Sequence, residues 1–136
     1  MTPEDMAICH ARAFAGQGRA WTEGEFADLF ASPFVFAVGD IHAFALGRVV
    51  ADEAELLTLA TDPEHRRKGL AQNVLAAFEG EVEARSAERI FLEVAADNTA
   101  ALALYVRTGY NETTRRAGYY ETPMGRVDAV IMEKRL

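Results

Sequence analysis

Three consecutive cations, Arg66-Arg67-Lys68, stand directly before Gly69, and an apolar helical pattern begins just after it. A helix N-terminus exposes unpaired N–H groups and carries partial positive charge. Cations and amides therefore converge on one spot in the chain, and an anion is what such a spot attracts. Gly69 has no side chain, so a phosphate can approach the backbone closely. The segment has the chemistry of a diphosphate site; a solvated basic turn with a glycine for tight geometry is the competing reading. The sequence lacks both a GxxxxGK[ST] loop and a GxGxxG after a first strand, which argues against a nucleotide-hydrolysing P-loop and a dinucleotide fold. Gly16-Gln17-Gly18 reads as a loop between helices. Glu93 is the second position of interest, because it interrupts the apolar run Ile90-Phe91-Leu92-Glu93-Val94. A carboxylate there is costly unless it faces a cleft or a fixed partner; an ordinary half-exposed strand residue is the alternative. His10, His42 and His65 show no metal-ligand spacing, and no metal is expected. Cys9 reads as a small buried helix residue, not a nucleophile.

These residues need elements to hold them. Thr2-Pro3-Glu4-Asp5 is a helix start, and a helix through about Phe14 would bury Met6, Phe14 and Ile8. Thr22-Glu23-Gly24-Glu25 is a capping box opening a short helix with Phe26, Leu29 and Phe30. Strands are predicted over Phe34–Val38, Ile41–Val50 and Ala54–Thr61, as an antiparallel meander broken by Gly39-Asp40 and Ala51-Asp52-Glu53. A helix follows over about Gly69–Arg85, with Leu70, Val74, Leu75, Phe78 and Val82 on one face. Next come a buried strand at Arg89–Val94 and a helix over Asn98–Thr108, stopped by Gly109. Two last strands fall near Tyr110–Arg115 and Arg126–Lys134, which puts Tyr119 and Tyr120 in the loop between them. The helix between the third and fourth strands implies a parallel crossover. The fold class is α/β (α+β): a mixed, mostly antiparallel sheet flanked by helices on both faces.

The whole chain, 1–136, fits one domain. Half of its residues are apolar and 26% are charged, which excludes disorder as the main state. The net charge of −7 disfavours general binding to nucleic acid or anionic lipid and suits cationic partners. A single cysteine permits no internal disulfide. The N-terminus lacks a secretory pattern and no stretch approaches a membrane span, so a cytoplasmic location is expected. The oligomeric state is left open.

Arg66-Arg67-Lys68-Gly69-Leu70-Ala71 resembles the [RQ]xxGx[GA] signature of the GNAT (GCN5-related) N-acetyltransferases, and the element order agrees with that fold. Further segments resemble the RimI-like branch, which acetylates a ribosomal-protein N-terminus. Trp21-Thr22 with Phe26 is similar to its PWSxxxF segment. Leu92-Glu93-Val94, Asn98, Ala101, Leu104-Tyr105 and Gly109-Tyr110 are similar to LEVRxxNxxAxxLYxxxGF. Tyr119-Tyr120 and Gly125-Arg126-Val127-Asp128-Ala129 are similar to its YY and GREDA elements. The departures are a first strand that is short or missing before the first helix, Ala117-Gly118 between the arginines and the tyrosine pair, and Glu121 where a proline is usual.

The resemblance implies acetyl-CoA as cosubstrate, with its diphosphate on Arg66, Arg67, Lys68, Gly69, Leu70, Ala71 and Gln72. It implies that the strand ending Leu59-Ala60-Thr61 pairs with the pantetheine arm and that Asn98 contacts the cofactor besides capping its helix. It implies Glu93 as general base, directly or through one water, and Tyr105 as the acid that reprotonates the thiolate; a packed helical aromatic is the plainer fate of Tyr105. Trp21, Tyr119 and Tyr120 would bind peptide, although Trp21 could instead staple the second helix to the core. Glu23, Glu25, Asp52 and Glu53 are candidate attractors for a basic peptide. The expected reaction is direct acetyl transfer to a protein N-terminal amine, with alanine of a small-subunit ribosomal protein as the expected target. Acetylation of a small-molecule amine and a silent CoA-binding module are the alternatives.

Overall fold

The computed structural model describes residues 1–15, 19–66 and 69–136. The order is α1 (Pro3–Ala13), α2 (Glu23–Phe30), β1 (Val35–Gly39), β2 (Ala43–Val50), β3 (Glu53–Thr61), a single 3-10 turn (Pro63–His65), α3 (Leu70–Ala84), β4 (Arg89–Ala95), α4 (Thr99–Arg107), β5 (Asn111–Thr122) and β6 (Gly125–Arg135). Among the described residues no strand precedes α1. Both N-terminal helices start as the sequence predicts. Thr2 and Asp5 exchange side-chain and backbone hydrogen bonds, as do Thr22 and Glu25.

The six strands lie in the order β1-β2-β3-β4-β6-β5. Only β3 and β4 are parallel; every other neighbouring pair is antiparallel. Alternation along β2 divides the core between the two faces of the sheet. Phe44 and Leu46 pack with Met6, Cys9 and Phe26 of α1 and α2, whereas Ala43 and Ala45 pack with Val74, Leu75, Phe78 and Val82 of α3. At Gly47 the Phe78 ring of α3 lies directly against β2, so close that a Cβ there would collide with Phe78 Cε1.

Three expectations change. Ile8 is 54% exposed, because Cys9 and Met6 occupy the buried stripe of α1. Ile41 and His42 lie before β2, in a turn where Asp40 Oδ1 accepts from the backbone N–H of His42 and Ala43. Tyr119 and Tyr120 are not in a loop: β5 extends through Thr122, and only Pro123-Met124 connects it to β6. The longer β5 escaped sequence reading because its residues are polar and exposed. It is an edge strand, held by its β6 partner and ion pairs such as Arg115–Glu112 at 2.8 Å and Arg115–Asp128 at 3.5 Å.

Candidate active site

The parallel pairing of β3 with β4 covers only Glu53–Leu56 against Arg89–Leu92. Beyond it the strands part. Thr58 to Thr61 stay paired to β2 on one side and have no strand on the other. A register shift between Leu46 and Gly47 leaves Leu57 as an extra residue in β3 at this point. A bulge there bends the strand and re-aims its edge. The result is a fork with unpaired backbone groups along one limb.

A cleft of about 350 Å³ lies at the fork. Leu59, Thr61, Arg66, Gly69, Leu70, Ala71, Gln72 and Asn98, all singled out in the sequence, line it together with Arg107. Ala60 does not: its side chain is buried in the α1–α2 cluster, as its place on the opposite face of β3 requires. Arg67 and Lys68 lie outside the described residues.

The N-terminus of α3 differs from those of the other three α-helices. Thr2, Thr22 and Asn98 cap α1, α2 and α4 with side-chain oxygens, but Gly69 caps α3 with none, and the first turn of α3 holds no acid. The first amide of the helix with a helical acceptor is Asn73 N–H, which donates to Gly69 O. The preceding amides have no side-chain cap, and an anion is what such amides can accept. Gly69 has φ +72°, and a Cβ there would meet no atom within 4 Å, so the space above it is open. Arg66 donates from Nη2 to Ala13 O at 2.9 Å, tying the turn to the end of α1. Asn98 Oδ1 accepts from Ala101 N–H at 3.2 Å and still faces the cleft, so capping and ligand contact are geometrically compatible.

Glu93 is the first residue of β4 past the last one paired to β3, which puts it at the fork. Its partners are fixed. Tyr120 OH donates to Oε2 at 2.9 Å, and Arg116 Nη1 lies 3.8 Å from Oε1. Tyr119 packs edge-on against Tyr120 at 5.1 Å, and the Arg116 guanidinium lies over the Tyr119 ring at 5.2 Å. Burial and the Glu93 carboxylate together keep the Tyr120 phenol protonated well above its ordinary range. Between Arg116 and Tyr120 the β5–β6 register shifts. Asp128 holds that irregularity, accepting from Gly118 N–H at 2.9 Å, while Gly118 has φ +59°. Sequence reading passed over Arg116 and Asp128 as site residues. The arginine pair before the tyrosines and the Gly118 break were the available signals.

Tyr105 is buried in the main core and contacts Tyr110 edge-on at 5.6 Å. Burial raises its phenol pKa, so it stays a proton donor, but it does not line the cleft. Trp21 stacks on His10 at 5.1 Å and tilts against Phe26 at 5.5 Å. Its backbone N–H donates to His10 Nδ1 at 3.2 Å. The structure thus uses Trp21 as a staple for α2 and does not join it to the tyrosine pair. Two expected attractors have partners already: Glu25 is bound by Arg19 and Thr22, and Glu53 by Arg89. The histidines are less scattered than their spacing suggested, since His42 and His65 stack at 3.9 Å.

A family model described as the acetyltransferase (GNAT) family matches residues 7–110. The chain belongs to the GNAT family. Within it, the chain is 47% identical over 94 residues to the ribosomal protein bS18-alanine N-acetyltransferase of Escherichia coli K12, a match covering 69% of this chain and 64% of that protein. It is 34% identical over 121 residues to the mycothiol acetyltransferase of Clavibacter michiganensis, covering 80% of this chain and 39% of that one. The crystal structure of the E. coli ribosomal-protein-S18-alanine N-acetyltransferase superposes with a TM-score of 0.88 at 37% identity, over 98% of this chain and 86% of that chain. The chain therefore spans a little under two thirds of the curated E. coli relative's length in the sequence match. The mixed six-stranded sheet with helices on both faces is the GNAT fold. Among the described residues no helix is long and apolar enough to cross a membrane.

Proposed function

We propose that this protein transfers the acetyl group of acetyl-CoA to the N-terminal amine of a protein, with alanine of ribosomal protein bS18 as the target. The observation that carries the reading is the fork: β3 and β4 separate beside α3, which among the described α-helices is the one with no side-chain cap on its N-terminal amides. A diphosphate suits Gly69, Leu70, Ala71 and Gln72 with Arg66 and Arg107 nearby, while Arg67 and Lys68 add charge in the sequence. The unpaired edge of β3 at Leu59–Thr61 offers hydrogen bonds to an amide-bearing arm, and Asn98 offers a further polar contact. No metal enters the reaction.

Acyl transfer to an amine requires loss of the amine proton and return of a proton to sulfur. An α-amine has a pKa of roughly 7.7–8.0, so a carboxylate acting directly or through one water is a sufficient base. Glu93 takes that role, steadied by Tyr120 and Arg116. The family resemblance assigns return of the thiolate proton to Tyr105, which would have to reach the sulfur from the core behind Leu104 of the cleft wall. Tyr119 and Tyr120 wall the entry of the peptide, and Trp21 contributes by fixing α2. The net charge of −7 favours approach of a basic N-terminal segment, and a ribosomal target places the protein in the cytoplasm.

Mass spectrometry of a peptide panel with acetyl-CoA tests this. Acetylation at the α-amine of the bS18 N-terminal peptide is the expected result. Modification of free small amines with peptides untouched would favour the small-molecule reading, and cofactor binding without turnover would favour a silent module.

A further inference from the structure

His42 sits in the turn between β1 and β2, and His65 ends the 3-10 turn after β3. Asp62 joins them: its backbone N–H donates to His42 O at 2.8 Å, and its Oδ1 accepts from Glu64 N–H at 3.0 Å. The two imidazoles stack with centroids 3.9 Å apart and planes 28° apart. One ligand atom from each of His42, Asp62 and His65 lies within 4.8 Å of the other two. Among the described residues, His65 Nδ1 is the only buried side-chain nitrogen or oxygen without a hydrogen-bond partner. It stands 4.0 Å from Asp62 Oδ2. A buried polar atom left unpaired has lost water and gained nothing. Here the unpaired atom is an imidazole nitrogen aimed at a carboxylate, with a second imidazole alongside.

We propose that His42, Asp62 and His65 form a binding site for Zn²⁺. Two imidazoles and one carboxylate suit a late first-row divalent cation better than Mg²⁺ or Ca²⁺, which prefer oxygen donors throughout. Three protein donors and one water complete a tetrahedral shell. With bonds of about 2.0–2.1 Å, tetrahedral donors stand roughly 3.3 Å apart, so on binding the side chains close inward by up to about 1.5 Å and the two imidazoles rotate out of their stack to face one ion. The neighbouring groups allow this. Arg12 lies 3.3 Å from Asp62 Oδ2 and also 3.1 Å from Glu64 Oε1, so its guanidinium keeps a carboxylate when the cation takes the aspartate oxygen. Asp40, bound to the His42 N–H, adds negative charge nearby. Among the described residues, Cys9 contributes no atom to this cluster of ligand atoms. The bound cation ties the β1–β2 turn to the segment that leads into α3. His65 and Arg66 both wall the cleft, so the cation fixes one side of it. The site stands apart from Glu93 and does not depend on which amine is acetylated.

The test uses the untagged full chain after chelator treatment, titrated with Zn²⁺ by calorimetry and followed by thermal unfolding. One equivalent binds and raises Tm. His42→Phe, which keeps the ring stack, and His65→Gln each weaken binding at least about tenfold, whereas Cys9→Ser does not. Unfolding of each variant in chelator confirms that it is folded. Co²⁺ in place of Zn²⁺ gives the intense visible absorption of a tetrahedral site. Absence of saturable binding overturns the proposal, as does wild-type affinity in either histidine variant or loss of binding in Cys9→Ser alone.

Discussion

Glu93 works, in this reading, because its carboxylate is held at a fork in the sheet while its neighbours donate to it. Glu93→Gln removes the proton acceptor and keeps the shape. We expect kcat to fall by on the order of 10²–10⁴ with acetyl-CoA affinity unchanged; steady-state kinetics with calorimetry of cofactor binding checks this. Tyr120→Phe frees Oε2 of Glu93, and a change in the pH profile of kcat larger than the change in cofactor affinity is expected. His10 gives a stability prediction at the same scale. Burial lowers its pKa from 6.5 to about 4, so the folded state holds it neutral where the unfolded chain would protonate it. Stability from this group is complete above the unfolded value and is lost as pH falls from about 6.5 towards 4, by roughly 3 kcal/mol in total. Urea unfolding of the wild type and of His10→Phe across that range should show a flatter dependence in the variant; identical slopes would remove His10 as the source.

At the level of elements, β2 and α3 meet at Gly47. Gly47→Ala forces a methyl into the Phe78 ring, and a loss of about 1–3 kcal/mol is expected from overpacking, read as a lower urea midpoint at unchanged slope. Asp128→Ala releases the Gly118 irregularity that aims the tyrosine pair. Lower peptide turnover with little loss of cofactor affinity is expected in the same kinetic assays. The helices were legible in the sequence because caps and 3.6-residue periodicity are local signals: Thr2, Thr22 and the Val74-Leu75-Phe78-Val82 stripe each suffice alone. The end of β5 was not legible, since a polar edge strand such as Asn111–Thr122 is specified by its partner and its ion pairs. Glu93 stood out through the apolar run around it. Arg116 did not, because its relevance is a contact between β5 and β4. The pairing of His42 with His65 was hidden for the same reason: it depends on how the β2–β3 hairpin closes.

Across the whole molecule, a net charge of −7 accompanies what the proposed function takes as a local anion site. A basic peptide and an anionic cofactor therefore approach by different charges, and added salt should weaken the association of both. In the proposed function, the segment leading into α3 serves the cofactor and the β5–β6 edge serves the peptide. The amides at the start of α3 are the parts on which the cofactor side depends. Titration of ¹⁵N-labelled protein with acetyl-CoA, followed by NMR, examines them directly. The amide resonances of Gly69, Leu70, Ala71 and Gln72 should move most, together with those of Leu59 to Thr61, while those of Gly39 and Gly125 stay in place. Cofactor binding that leaves the α3 amides unmoved would contradict the assignment of this cleft.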